Sequence, residues 1–378
     1  MNYQDLNIYS DWVREAQAQR RLFPVATPGI ETQQRLREVL GFCGGNEEPQ
    51  DVRVEDTWEK DGLVGEAISW WVGYGPRTEA WLFKPAEAKG PLPGIIALCD
   101  HGGFKYWGKE KIAEGRAAAP DYIQNWWKRL YGGRAWANAL AHEGFAVLVH
   151  DPFLWGSRRF PQEVMPDWAA EAFNGLQESA WANPDVPREV GLYNFAAAQH
   201  EHQVEKYCQV LGTTLAGVIS HEDRIATNYL RSRQDVDGRR MGCIGLSGGG
   251  GRSALLNATH DQIKAAVVVA MMASYAYLLN DALKRHTWMF FPAGWSRFGD
   301  WPDLAACRAP SPLLVQFDRD DELFPLEGMQ AANQRLADHY QNAPGAYTSE
   351  FYPGPHKFDL EMQRSAFGWL KNQFLLSE

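Results

Sequence analysis

Six short apolar runs divide the chain downstream of its first quarter: residues 95–99, 145–150, 241–246, 263–272, 312–317 and 347–352. Hydrophobicity within most of them is continuous rather than alternating, which marks strands buried on both faces. Such strands need helices above and below, and longer helical stretches do separate the runs. The pattern therefore restricts the chain to an α/β fold: a mostly parallel central sheet covered by helices on both faces. Residues 215–231 place Leu215, Val218, Ile219, Ala226, Tyr229 and Leu230 on one helical face, as a crossover helix leading into the run at 241–246 requires. Upstream, residues 66–72 and 79–83 flank the turn signals Gly73, Gly75 and Pro76 and read as an antiparallel hairpin.

At 378 residues the chain is long for one domain, but α/β folds with insertions reach this size undivided. Residues 1–50 read as a helical extension, with Thr32 as a cap before 33–40 and Gly41 as a stop. Residues 51–378 form the main domain. Within it, 154–214 follows a strand's C-terminal end, contains no strand and is rich in Trp, Pro and Asn. Ligands bind at that edge of an open sheet, so this segment is expected to be a lid or cap insertion.

Composition narrows the function classes. With 45% hydrophobic and 22% charged residues the chain is an ordinary globular one, and its net charge of −10 excludes the basic footprint of a nucleic-acid binder. That charge suits an uncharged or cationic substrate. Residues 1–21 carry Asp5, Asp11, Arg14 and Glu15 without the apolar centre of a secretory signal, and the run from Ala265 to Ala273 is too short to span a bilayer. Five cysteines (Cys43, Cys99, Cys208, Cys243, Cys307) without a Cys-x-x-Cys pair fit neither a disulfide framework nor a zinc ribbon. The expected home is the cytoplasm.

Around the third run the sequence reads Gly242-Cys243-Ile244-Gly245-Leu246-Ser247-Gly248-Gly249. This is Gly-x-Ser-x-Gly at the end of a strand, where a turn sharp enough to expose the serine tolerates only minimal neighbours. A serine hydroxyl is a weak nucleophile at neutral pH, so a base and an orienting acid must accompany it. After the strand at 312–317, Asp318, Asp320 and Asp321 compete for the acid role, and spacing alone does not separate them. After the last strand, Pro353-Gly354-Pro355-His356 puts a histidine in a loop able to reach over the sheet edge. An oxyanion hole would take one backbone N–H from Gly248, next to the nucleophile. The other would come from the loop after the first parallel strand, Asp100-His101-Gly102-Gly103-Phe104, with Gly103 or Phe104 as donor.

Serine, acid, histidine is the chain order of α/β-hydrolases. From about residue 65 onward the sequence resembles that superfamily, in the branch of dienelactone-hydrolase-like proteins, acetyl-xylan-type esterases and prolyl-oligopeptidase catalytic domains. The resemblance rests on His101-Gly102-Gly103, the turn from Asp151 to Arg159, Gly245-x-Ser247-x-Gly249, Asp321-Glu322-Leu323-Phe324-Pro325 and Gly354-Pro355-His356. It implies Asp321 as the acid, four residues before the proline, beside Ser247 and His356. Two departures stand out. Dienelactone hydrolases proper use cysteine as nucleophile, so Ser247 points to esterases, and the usual glycine before the acid is replaced around Phe317 and Asp318.

Trp155, Lys105 and Arg158 are the candidates for substrate contact, since they lie in loops at the same sheet edge. An arginine there can bind a carboxylate through paired hydrogen bonds, or it can form a structural link to the insertion. His200-Glu201-His202 is no metal pair, because positions two apart on a helix diverge and no third ligand is evident. No Walker-type phosphate loop is present. The expected function is a cofactor- and metal-independent serine esterase acting on a small carboxylic ester, with a possible homo-oligomer and no membrane or nucleic-acid partner. The alternatives are an amide or peptide hydrolase of the same branch and a catalytically silent ligand-binding protein of this fold.

Overall fold

The six apolar runs become six neighbouring strands. In chain order the strands are β1 (Gln50–Lys60), β2 (Leu63–Trp71), β3 (Thr78–Pro85), β4 (Leu92–Leu98), β5 (Ala146–His150), β6 (Val236–Leu246), β7 (Ile263–Val269), β8 (Leu313–Asp318) and β9 (Tyr347–Tyr352). They form one sheet in the order β1-β2-β3-β5-β4-β6-β7-β8-β9. The part from β5 to β9 is parallel, while β1, β2 and β3 are antiparallel and join at β5. The structure is a computed structural model and describes residues 3, 5–19, 22–42, 46–175, 185–279 and 282–375.

Successive residues of a strand point to opposite faces, which explains the continuous runs. Ile96 and Leu98 pack with Leu215, Ile219, Leu255 and Trp301 on one face. Ile95 and Ala97 pack with Ile123, Trp136, Met362 and Leu370 on the other. All twelve side chains are fully buried, and each large aliphatic among them contributes about 1.5–3 kcal/mol of transfer free energy.

Two strands were expected at the antiparallel end, and three are present. β1 carries Arg53, Glu55, Asp56 and Glu59 and exposes most of its side chains, so no apolar run announces it. Its charges suit an edge strand, where unpaired backbone would otherwise invite association. In the first fifty residues lie the helices Ser10–Gln19 and Ile30–Leu40. Leu36 and Leu40 of the second are buried in the main core. That helix starts one turn before the expected cap: Gly29 precedes it, and the Thr32 hydroxyl donates back to the Thr27 carbonyl at 2.5 Å. Gly41 ends it in the left-handed conformation at φ 74°.

Between β5 and the crossover helix Leu215–Ser232 the chain forms the helices Trp168–Gly175 and Arg188–Val210. They close a small separate cluster of Met165, Ala169, Tyr193, Ala196 and Ala197. Residues 176–184 of this segment, and Cys43, lie outside the described residues. The other four cysteines are free and buried. Among the described residues, no helix is long and apolar enough to cross a membrane.

Candidate active site

β6 ends at Leu246 and the helix Gly248–Thr259 starts two residues later, with Ser247 alone making the turn at φ 57°, ψ −125°. A non-glycine residue with positive φ is strained and persists only where its surroundings hold it. Here the Ser247 N–H donates to the Val269 carbonyl at 2.8 Å, and its carbonyl accepts from Gly251 N–H at 2.9 Å. The flanking glycines are a packing requirement. A Cβ on Gly249 would lie 2.1 Å from the Leu98 oxygen, and one on Gly245 would lie 2.4 Å from the Gly249 carbonyl carbon.

Ser247 and His356 line one cavity of about 270 Å³, together with His101, Gly102, Gly103 and Gly248. His356 Nδ1 lies 2.6 Å from Asp321 Oδ2, and Asp321 Oδ1 accepts the Leu323 N–H at 2.9 Å. Pinned on both oxygens, the carboxylate directs the Nε2 side of the ring away from itself. Burial opposes protonation of His356, but the hydrogen bond and charge of Asp321 outweigh it and raise the ring above its ordinary value.

The other two aspartates have distinct tasks. Asp320 Oδ2 accepts the Gly354 N–H at 2.7 Å, and Asp318 Oδ2 accepts the Lys357 N–H at 2.8 Å. Both therefore tie the acid loop to the histidine loop. Asp318 is almost fully buried, its Oδ1 has no partner among the described residues, and burial pushes its carboxyl up to about 7.

The amides of Gly103 and Phe104, expected as the second oxyanion donor, are already engaged. Gly103 N–H donates to His101 Nδ1 at 3.1 Å, and Phe104 N–H donates to the His101 carbonyl at 3.1 Å. Neither amide is free. Phe104 also lies in the adjoining groove rather than beside Ser247. Gly102 N–H, by contrast, has no partner among the described residues and lines the Ser247 cavity, as does Gly248. The fully buried Lys111 ammonium donates to the carbonyls of Asp100 and His101, which holds those oxygens on the inner side of the loop.

All three residues expected at the substrate are internal supports, each 2% exposed. Trp155 donates its indole N–H to the His101 carbonyl at 3.4 Å and meets the His101 ring edge-on. Lys105 pairs with Glu201 of the insertion. Arg158 pairs with Glu222 and donates to the carbonyls of Tyr74 and Pro76. Loop position suggested exposure, but each polar group found a buried partner far away in the chain. The cavity wall comes instead from Trp126, Arg129, Leu130, Met271, His286, Thr287 and Leu323. Most belong to helices and connections outside any motif, so only the assembled fold identifies them. His286 donates from Nε2 to the Leu323 carbonyl at 3.0 Å, and burial pushes it down to about 4, so it is neutral.

No protein-family model matches the chain. Over 319 residues it is 23% identical to YtaP of Bacillus subtilis (strain 168), named as an inferred hydrolase, covering 83% of this chain and 90% of that protein. Among solved structures it is similar to a glucuronoyl esterase from Solibacter usitatus, with a TM-score of 0.61, 14% identity and 91% of each chain covered. Acetyl xylan esterase 1 from Thermoanaerobacterium sp. JW/SL YS485 superposes with a TM-score of 0.56 and 13% identity, over 94% of this chain and 98% of that one. In strand order and in superposition alike, the chain is an α/β-hydrolase in fold.

Proposed function

We propose that the protein is a serine hydrolase of small carboxylic esters, with Ser247 as nucleophile, His356 as base and Asp321 as orienting acid. The observation that carries this reading is the His356–Asp321 pair in the same cavity as a serine on a strained turn. Ser247 Oγ attacks the ester carbonyl carbon and its proton passes to His356 Nε2. Asp321 stabilises the imidazolium that forms. The N–H groups of Gly248 and Gly102 receive the developing oxyanion, Gly102 standing where Gly103 or Phe104 was expected and Gly248 unchanged. Collapse of the tetrahedral intermediate expels the alcohol, which takes the proton from His356. A water then loses a proton to His356 and releases the acid from the acyl-enzyme.

The esterases similar in fold act on sugar esters by their names, which supports an ester rather than an amide substrate for this chain. Four buried free thiols suit a reducing cytoplasm. Hydrolysis of para-nitrophenyl acetate, compared between wild type and Ser247→Ala, tests the assignment. Loss by several powers of ten, with loss of fluorophosphonate labelling, is expected. Undiminished turnover in the variant would remove Ser247 from the reaction.

A further inference from the structure

We infer that Arg129 forms a carboxylate subsite beside the reacting serine, so that the preferred esters bear a negative charge. The inference rests on the reading of Ser247 as nucleophile and adds a substrate class to it. Arg129 lines the Ser247 cavity and also the adjoining groove of about 330 Å³, at whose junction Gly102, Gly103 and Trp126 also stand. Its guanidinium carbon lies 4.4 Å from the centre of the Trp126 ring. Trp126 is itself packed on the loop after β4: a Cβ on Gly102 would come within 2.5 Å of its ring. This cation–π contact holds the guanidinium next to the loop carrying the proposed oxyanion donor.

What separates Arg129 from other arginines near the sheet is that its donors are unused. Arg158 is committed to Glu222, Arg252 to Asp223 and Arg335 to Asp303. Arg129 has no hydrogen bond or ion pair among the described residues. Of the described residues, two acids line these spaces: Asp100 is 1% exposed and already accepts from the Tyr131 hydroxyl, and Asp185 in the groove accepts from the Asn125 amide at 3.5 Å. An always-charged planar fork with five free donors, at the edge of a reaction cavity, matches a carboxylate bidentately.

The test compares kcat/KM for matched esters in wild type and Arg129→Gln. One pair varies the acyl side, mono-para-nitrophenyl succinate against para-nitrophenyl butyrate, and one the alcohol side, para-acetoxybenzoate against its methyl ester. In at least one pair the anionic ester is expected to be favoured by about tenfold at low ionic strength. That ratio should fall toward one in Arg129→Gln and in high salt. A ratio at or below one in both pairs, or one that the variant retains, overturns the subsite. If no ester is turned over, the nucleophile assignment fails instead. The subsite then stands or falls on calorimetric titration with succinamate: binding lost in Arg129→Gln supports it, while absent or unchanged binding overturns it.

Discussion

The carboxylate of Glu201, on the insertion helix Arg188–Val210, accepts a hydrogen bond from His101 Nε2 at 3.0 Å. The tautomer follows from the other nitrogen, since Nδ1 receives the Gly103 N–H and must present a lone pair. Glu201 also accepts from Lys105, from the Thr287 hydroxyl at 2.6 Å and from Trp288 N–H at 3.3 Å. Burial alone would raise Glu201, but Lys105 and His101 hold it well below the usual carboxylate range. One buried charge on the insertion thereby anchors two walls of the cavity.

Glu201→Gln leaves the Lys105 ammonium buried without a counter-charge, which costs about 3–5 kcal/mol. The expected result is a Tm lower by roughly 10 °C and reduced kcat/KM. The double variant Glu201→Leu with Lys105→Met should recover most of the Tm but not the activity, because the His101 loop still lacks its anchor. Full recovery of both would show that Glu201 serves only to neutralise Lys105.

Asp318 makes the site's pH response testable. Its carboxyl is pushed up to about 7 by burial, aided by Asp321 and opposed by Lys357 and His356. An acid with a folded value above its unfolded one stabilises the fold below the unfolded value, and that contribution is lost as pH rises through about 7. Asp318→Asn should therefore flatten the fall in Tm across that range. Ionised Asp318 also helps raise His356, so the acid limb of kcat/KM should move to lower pH in the variant. A limb that stays in place, or moves upward, would contradict the coupling.

How much of this was legible in the sequence depended on range. The buried strands could be read because Ile95 through Leu98 need apolar neighbours on both faces, a demand each residue carries locally. β1 escaped because its partners are backbone groups of β2 and its side chains face water. The three aspartates could not be separated by spacing, since all three act on the same loop of His356. The fate of the Gly103 N–H depends on the orientation of His101, which Glu201 sets from a hundred residues away. Trp155, Lys105 and Arg158 were misjudged for the same reason. A charged loop residue looks exposed until its distant partner is known.

The elbow glycines offer a fold-level check. A methyl on Gly249 would overlap the Leu98 oxygen at 2.1 Å, a backbone atom of the central strand that cannot swing aside. Gly249→Ala is expected to destabilise the protein by more than about 3 kcal/mol or to prevent soluble expression. Gly368→Ala is the control, because a Cβ there has nothing within 4 Å and the residue lies inside the helix Leu360–Phe374. It should gain up to about 1 kcal/mol in chemical denaturation.

Arg158 separates structural from substrate-binding arginines. Its guanidinium is 1% exposed and paired with an equally buried Glu222, so Arg158→Ala strands a carboxylate in the interior at a cost of about 3–5 kcal/mol. Arg129 faces the reaction cavity, so its replacement should change substrate preference with little effect on unfolding. Measuring both variants by thermal unfolding and by the ratio of anionic to neutral ester turnover gives opposite expectations. Arg158→Ala should lower Tm strongly and keep the ratio in whatever protein remains folded, whereas Arg129→Gln should keep Tm and lose the ratio. If the ratio collapsed in Arg158→Ala at a temperature where it is fully folded, the assignment of Arg158 as an internal support would fall, and the sequence-level expectation of a substrate contact would return.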